Sequence, residues 1–164
     1  MTASTTKTTT RRKKATLPPN PFLNEILDYV ATQKTKAKKV QALQEYRDDS
    51  LTAILIWNFD DRVQSAIPEG QVPYKENEVP VGTDHTSLRR EWKNLYHFIK
   101  GGNDELISLR RETMFIQMLE GLHPEEAKII CLVKDKNLAE KYKITRELVA
   151  EAFPDIVWGE HRGS

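Results

Sequence analysis

Leu51-Thr52-Ala53-Ile54-Leu55-Ile56-Trp57-Asn58-Phe59 is the stretch on which the fold turns. Leu51, Ile54, Leu55, Ile56, Trp57 and Phe59 are distributed all round a helix rather than along one stripe. The stretch therefore reads as a central helix buried on every side, with Trp57 in the core. A helix of that kind requires amphipathic neighbours to cover it.

The flanking sequence supplies them. Upstream, Asn20 offers an N-cap and Pro21 a first helical residue. Phe22, Leu23, Ile26, Leu27, Tyr29 and Val30 then follow at helical spacing to about Ala31. Thr35 caps a second helix that presents Val40, Leu43 and Tyr46 inward. Downstream, Leu88, Trp92, Leu95, Tyr96 and Ile99 form one amphipathic run closed by Gly101 and Gly102. Leu106 through Met114, Phe115, Met118 and Leu119 form another, ending at Gly121. Pro124, Glu125 and Glu126 make a first turn suited to the helix dipole. Two short helices, Leu138 to Tyr142 and Thr145 to Phe153, stop at Pro154.

No run shows strand alternation, and there is no internal repeat or heptad seam. The expected fold is all-α: a compact bundle of six to eight short helices packed around Trp57, Leu95, Phe115 and Ile130, with a long irregular loop and a disordered basic N-terminal arm. Residues 1–20 are the arm, because they lack periodic apolar residues to bury and end in Pro18 and Pro19. Residues 21–158 form the helical domain and 159–164 a C-terminal tail. Pro68, Gly70, Pro73, Pro80 and Gly82 punctuate the loop at 68–85.

A chain of 164 residues, 38% apolar and 30% charged, fits one ordinary globular domain. Its single cysteine, Cys131, excludes an intrachain disulfide and suits a reducing compartment. There is no secretory-type apolar run and no stretch of the ~20 apolar residues needed to span a bilayer, so no membrane partner is expected and the cytoplasm is the default. The net charge of +1 hides an asymmetry. Residues 1–43 carry nine Lys or Arg against two acids, which leaves the remainder at about −6 by difference.

That asymmetry suggests an anionic partner. Lys7, Arg11, Arg12, Lys13 and Lys14 lie in the arm, where flexible cations can neutralise phosphates without preformed geometry. All five engaged on duplex DNA would give a log-log salt slope of about −4.5. An acidic protein surface, or simple solubilisation, would use the same tail. Lys36, Lys38 and Lys39 crowd the first turn of the second helix, where each cation opposes the dipole by ~0.3 kcal/mol or more. They read either as phosphate contacts or as a solvated face. Arg89 and Arg90, opposite the apolar stripe of Leu88 to Ile99, join them as candidates.

Leu138 to Ala152 resembles a helix-turn-helix unit. Ala139 sits at the tight crossing, Ile144 plugs the turn and Thr145 caps a helix carrying Leu148, Val149 and Ala152. Lys143 stands where that turn usually has Gly, at a cost of ~1 kcal/mol. The would-be reading helix offers Thr145 and Arg146 beside Glu147 and Glu151, which would repel phosphates. Two helices packed at the end of a bundle would produce the same pattern.

Catalysis finds no support. His85, His97, His123 and His161 lack ligand spacing, so no metal and no cofactor are expected. Cys131, between Ile129, Ile130, Leu132 and Val133, reads as a buried, protonated core thiol. Pro154, Asp155, Glu160 and Arg162 only faintly echo a nuclease carboxylate motif. Gly101 and Gly102 lack the Lys and Ser or Thr of a phosphate loop.

Several phrases carry a family resemblance: Trp57-Asn58-Phe59-Asp60; Gly82-Thr83-Asp84-His85-Thr86; Asn94-Leu95-Tyr96-His97-Phe98; Gly101-Gly102-Asn103; Met114 through Pro124; Val133-Lys134-Asp135-Lys136; and Glu151-Ala152-Phe153-Pro154. From about Asp49 to Trp158 the chain resembles an uncharacterised family from T-even-like tailed bacteriophages, marine phages included. The resemblance implies a viral origin, with the host cytoplasm or the virion as location. It also implies work in replication, transcription or particle assembly, by association alone. Asp84 and His85, polar residues in a long loop, read as interaction residues or as local caps. Two expectations follow. One is a non-enzymatic protein that holds nucleic acid through its arm. The other is an adaptor or virion component that meets a phage or host protein through Tyr74, Asp84, His85 and Trp158.

Overall fold

The computed structural model describes residues 17–78 and 85–158. Lys7, Arg11, Arg12, Lys13, Lys14 and Asp84 lie outside the described residues, as do residues 1–16 of the arm and the tail at 159–164.

Helix α1 spans Leu23–Thr32, α2 Lys36–Glu45 and α3 Asp49–Phe59. After an irregular stretch come α4 (Leu88–Glu91), a 3-10 segment (Trp92–Phe98), α5 (Ser108–Gly121), α6 (Pro124–Lys134), α7 (Leu138–Tyr142) and α8 (Arg146–Ala152). Among the described residues there is no strand, only isolated bridges pairing Ser65 with Ile99 and Thr86 with Leu122. The molecule is all-α, as its sequence predicts.

The Leu51–Phe59 stretch is the central element. Leu51, Ile54 and Leu55 are fully buried and Trp57 is 1% exposed. Helix α3 packs against α6, α4 and the 3-10 segment, while α1 joins α2 to α6 and α7, and α2 pairs with α8. Leu95, Phe115 and Ile130 share that core. Val40 and Tyr46, expected to face inward, are only half-buried at its margin.

Local signals set several helix starts. Thr35 Oγ1 accepts the Lys38 N–H at 3.2 Å and Thr145 Oγ1 the Leu148 N–H at 3.1 Å, as their positions predict. Pro124 opens α6, where His123 Nδ1 accepts the Glu125 N–H at 3.1 Å.

Two expectations are corrected. Asn20 and Pro21 do not start α1; Phe22 occupies the N-cap and Glu25 accepts its N–H at 2.9 Å. The run Leu88 to Ile99 is not one α-helix, because it tightens to 3-10 at Trp92. Leu95 and Phe98 are both buried and three residues apart, so a turn of three residues lines them up on one edge. The segment ends at Phe98 with Ile99 as its C-cap, and the chain then turns back at Gly102, where a Cβ would stand 2.0 Å from the Tyr96 carbonyl oxygen. Only glycine fits there.

Polar staples close the centre. Lys136, held at φ +59°, donates from Nζ to the carbonyls of Trp57 (2.6 Å) and Asp60 (3.0 Å), capping the C-terminus of α3. Asn58 Oδ1 accepts the Leu138 N–H at 3.1 Å. Trp57 Nε1 donates to Ser65 Oγ, which donates in turn to the Lys134 carbonyl. The buried Lys134 ammonium holds the carbonyls of Pro68 (2.9 Å) and Gly70 (3.0 Å) and the Asp135 carboxylate (2.6 Å). The phrases Trp57–Asp60 and Val133–Lys136 thus bind each other.

Candidate nucleic-acid interface at the root of the arm

Three helices begin at one carboxylate. Glu126, in the first turn of α6, is fully buried. One oxygen accepts the Leu23 N–H that opens α1 and the other the Leu88 N–H that opens α4, each at 2.8 Å. Burial raises its pKa, against the pull of those two N–H groups and of Arg89. Arg89 donates to the Pro21 carbonyl at 3.2 Å and to Asp48 Oδ2 at 2.9 Å. The chain leaving residue 17 is therefore tied to the body at Pro21 and Leu23.

Around this junction Asn20, Pro21, Phe22, His85, Ser87, Arg89, Arg90 and Glu126 line a cleft of about 360 Å³. Behind it three rings meet. Phe22 lies tilted on His123 with centroids 4.5 Å apart, and His85 meets His123 edge-on at 5.4 Å. Burial, then the neighbouring His85, holds His123 below the usual imidazole range. His85 and His123, which no ligand spacing links in the sequence, are brought together because each precedes a helix whose first turn meets at Glu126. Among the described residues no group of three or more His, Cys, Asp or Glu is arranged to hold a metal.

The candidate cations fall into different settings. Arg90 is exposed and has no ion pair among the described residues, as is true of Lys38. Lys36 pairs with Glu151 of α8 at 3.1 Å, and Lys39 approaches the Ala31 carbonyl at 3.5 Å. The cost of cations at the start of α2 is therefore offset by acceptors at the ends of its neighbours. Arg89 serves the fold. Arg146 is half-buried, its guanidinium 5.0 Å from the centre of the Trp158 ring.

The helix-turn-helix-like turn forms, with Lys143 in the left-handed region at φ +55° and Ile144 fully buried. Helix α8 packs on α2, and Glu147 and Glu151 are exposed on it.

Two expected interaction residues are placed differently. Trp158 is 5% exposed and belongs to the core, so it presents no surface to a partner. Tyr74 is half-buried in a second cleft of about 620 Å³, where the irregular 70–76 segment runs along α6. Burial pushes its phenol up to about 12. Its neighbour there is Cys131, which lines the cleft half-buried rather than sitting in the core; burial raises this thiol's pKa too. The turn of the helix that carries Cys131 also faces the 70–76 segment, a contact that no local spacing announces.

Among the described residues no helix is long and apolar enough to cross a membrane. No curated protein and no solved structure matches the chain. Residues 26–140 match a family of unknown function (DUF6433), from within α1 to within α7. Every helix that meets at Glu126 lies at least partly in that span, and the chain belongs to this family.

Proposed function

We propose that this chain is a small, non-enzymatic, nucleic-acid-associated protein of tailed-phage type, a replication or transcription accessory that grips phosphates with its basic arm. The anchoring of the arm's root carries this reading. Arg89 holds the Pro21 carbonyl at 3.2 Å, and Asn20 to Phe22 line one cleft with Arg90. Six residue steps lead from Lys14 to Asn20, a reach of at most about 20 Å at full extension. Phosphates held by Arg11 to Lys14 are thereby delivered beside Arg90. Helix α1, ten residues long, extends about 15 Å from that root before the chain turns to Lys38. The body thus offers two further exposed cations without an ion pair among the described residues, Arg90 at the root and Lys38 beyond the far end of α1.

Fluorescence anisotropy with labelled single-stranded and duplex DNA, at two salt concentrations, tests the reading. Binding should weaken steeply with salt. Deletion of residues 1–16 should abolish most of it, and affinity unchanged by that deletion would overturn the role of the arm.

A second reading, a protein adaptor or virion component, rests on a different observation. Tyr96, Ile107 and Leu109 are 48%, 68% and 73% exposed around a loop that Arg111 pins through the carbonyls of His97, Asn103 and Leu106. A rigid loop carrying exposed apolar residues suits protein contact. Finding the protein in purified particles would favour it.

A further inference from the structure

We infer that the cleft at the arm's root receives an unstacked base of a single-stranded nucleic acid. This rests on the nucleic-acid reading above and adds the class of substrate.

Size and shape come first. The cleft, about 360 Å³, is concave and within the range that encloses a small-molecule-sized group. A duplex presents a convex backbone with its bases turned inward and has nothing to insert there. A single strand presents bases that can leave the stack.

The lining suits a base rather than a bare phosphate. Phe22 and His85 supply ring surfaces, and sequence-tolerant binding of single strands relies on such surfaces. The ring cluster with His123 holds them in place. Glu126 makes the floor unfavourable to a phosphate, while both its oxygens are already engaged by N–H groups. The phosphate therefore belongs at the rim, with exposed Arg90.

Ser87 adds a polar reader. A serine at an N-cap ordinarily spends its hydroxyl on the first N–H groups of its helix. Ser87 makes no such bond: the Leu88 N–H goes to Glu126, and the Arg90 N–H goes to the Ser87 carbonyl at 3.0 Å rather than to its hydroxyl. Ser87 and Asn20 both line the cleft, and the Ser87 hydroxyl has no hydrogen-bond partner among the described residues. Both can meet the edge of a base.

The test uses the full chain and four labelled probes of one length: single-stranded DNA, the same sequence as RNA, its DNA duplex, and a DNA strand with abasic sites throughout. Both single strands should bind about tenfold or more tighter than the duplex and the abasic strand, the scale of one stacked base. Ser87→Ala and His85→Ala should narrow that gap while leaving abasic binding unchanged. Arg90→Ala, at an exposed position, should weaken all four probes. Thermal melting of each variant verifies folding. The DNA and RNA arms separate the two sources of a single strand. If all four probes bind alike and all need residues 1–16, the base cleft is refuted and the arm reading stands. If none binds, both fall.

Discussion

Glu126 accepts the backbone N–H of Leu88, 38 residues upstream, at 2.8 Å, and does so without exposure to solvent. Its second oxygen holds Leu23 in the same way. Glu126→Gln keeps the shape but turns one acceptor into a donor facing an N–H. Unfolding in urea should show a loss of about 1–3 kcal/mol, the cost of one unsatisfied buried donor. Glu126→Ala should lose more, since both N–H groups are then orphaned. Burial raises the folded carboxyl above its ordinary value of 4.5, so the folded chain takes up this proton before the unfolded chain does. This group's contribution therefore grows as pH falls toward that value, and Glu126→Gln should remove that slope from the pH dependence of stability.

Lys143 and Lys136 both hold positive φ, at +55° and +59°, yet should answer glycine oppositely. Lys143 is exposed at the turn before α8, so Lys143→Gly relieves strain and should stabilise by about 1 kcal/mol. Lys136→Gly relieves the same strain but deletes the ammonium on the Trp57 and Asp60 carbonyls, and should destabilise. Denaturation midpoints of the two variants, shifted in opposite directions, are the readout.

Tyr142 is 1% exposed, and its hydroxyl has no hydrogen-bond partner among the described residues. Tyr142→Phe removes a buried polar atom while preserving the ring. Stability should rise by about 1 kcal/mol, measured by thermal or urea unfolding.

Asp155 receives two hydrogen bonds from Arg47, at 2.7 and 2.8 Å, which hold its carboxyl down to about 2. A depressed folded value means that the pair contributes fully above about 3.8 and is lost as pH falls through about 2. Carboxyl carbon shifts followed by NMR should show Asp155 titrating near 2 in the parent chain. In Arg47→Gln it should return to the ordinary range. Both side chains are exposed enough that the change in overall stability should be slight.

What the sequence made legible was what it encodes locally. Leu51 to Phe59 announced a buried helix because its apolar residues leave no face for water. Thr35, Pro124 and Thr145 marked helix starts because a cap acts within three or four residues. Glu126 read only as a first-turn acid of α6; its partners lie 103 and 38 residues away, and no spacing rule spans that distance. The approach of His85 to His123, 38 residues apart in the chain, has no local signal for the same reason. Trp158 reads as a surface aromatic from its polar neighbours in sequence, but Arg146 and the core enclose it. The cleft at the arm's root is likewise assembled from separated parts of the chain, residues 20–22, residues 85–90 and Glu126.

The Lys136 staple carries a consequence for how the protein is made. Its acceptors on Trp57 and Asp60 lie 79 and 76 residues upstream, so α3 cannot close its own C-terminus when it is first synthesised. A nascent chain halted before Pro124 also lacks the carboxylate on which α1 and α4 begin. Such fragments should stay open and protease-sensitive on the ribosome, and the domain should fold in one late, all-or-none step once its last third has emerged.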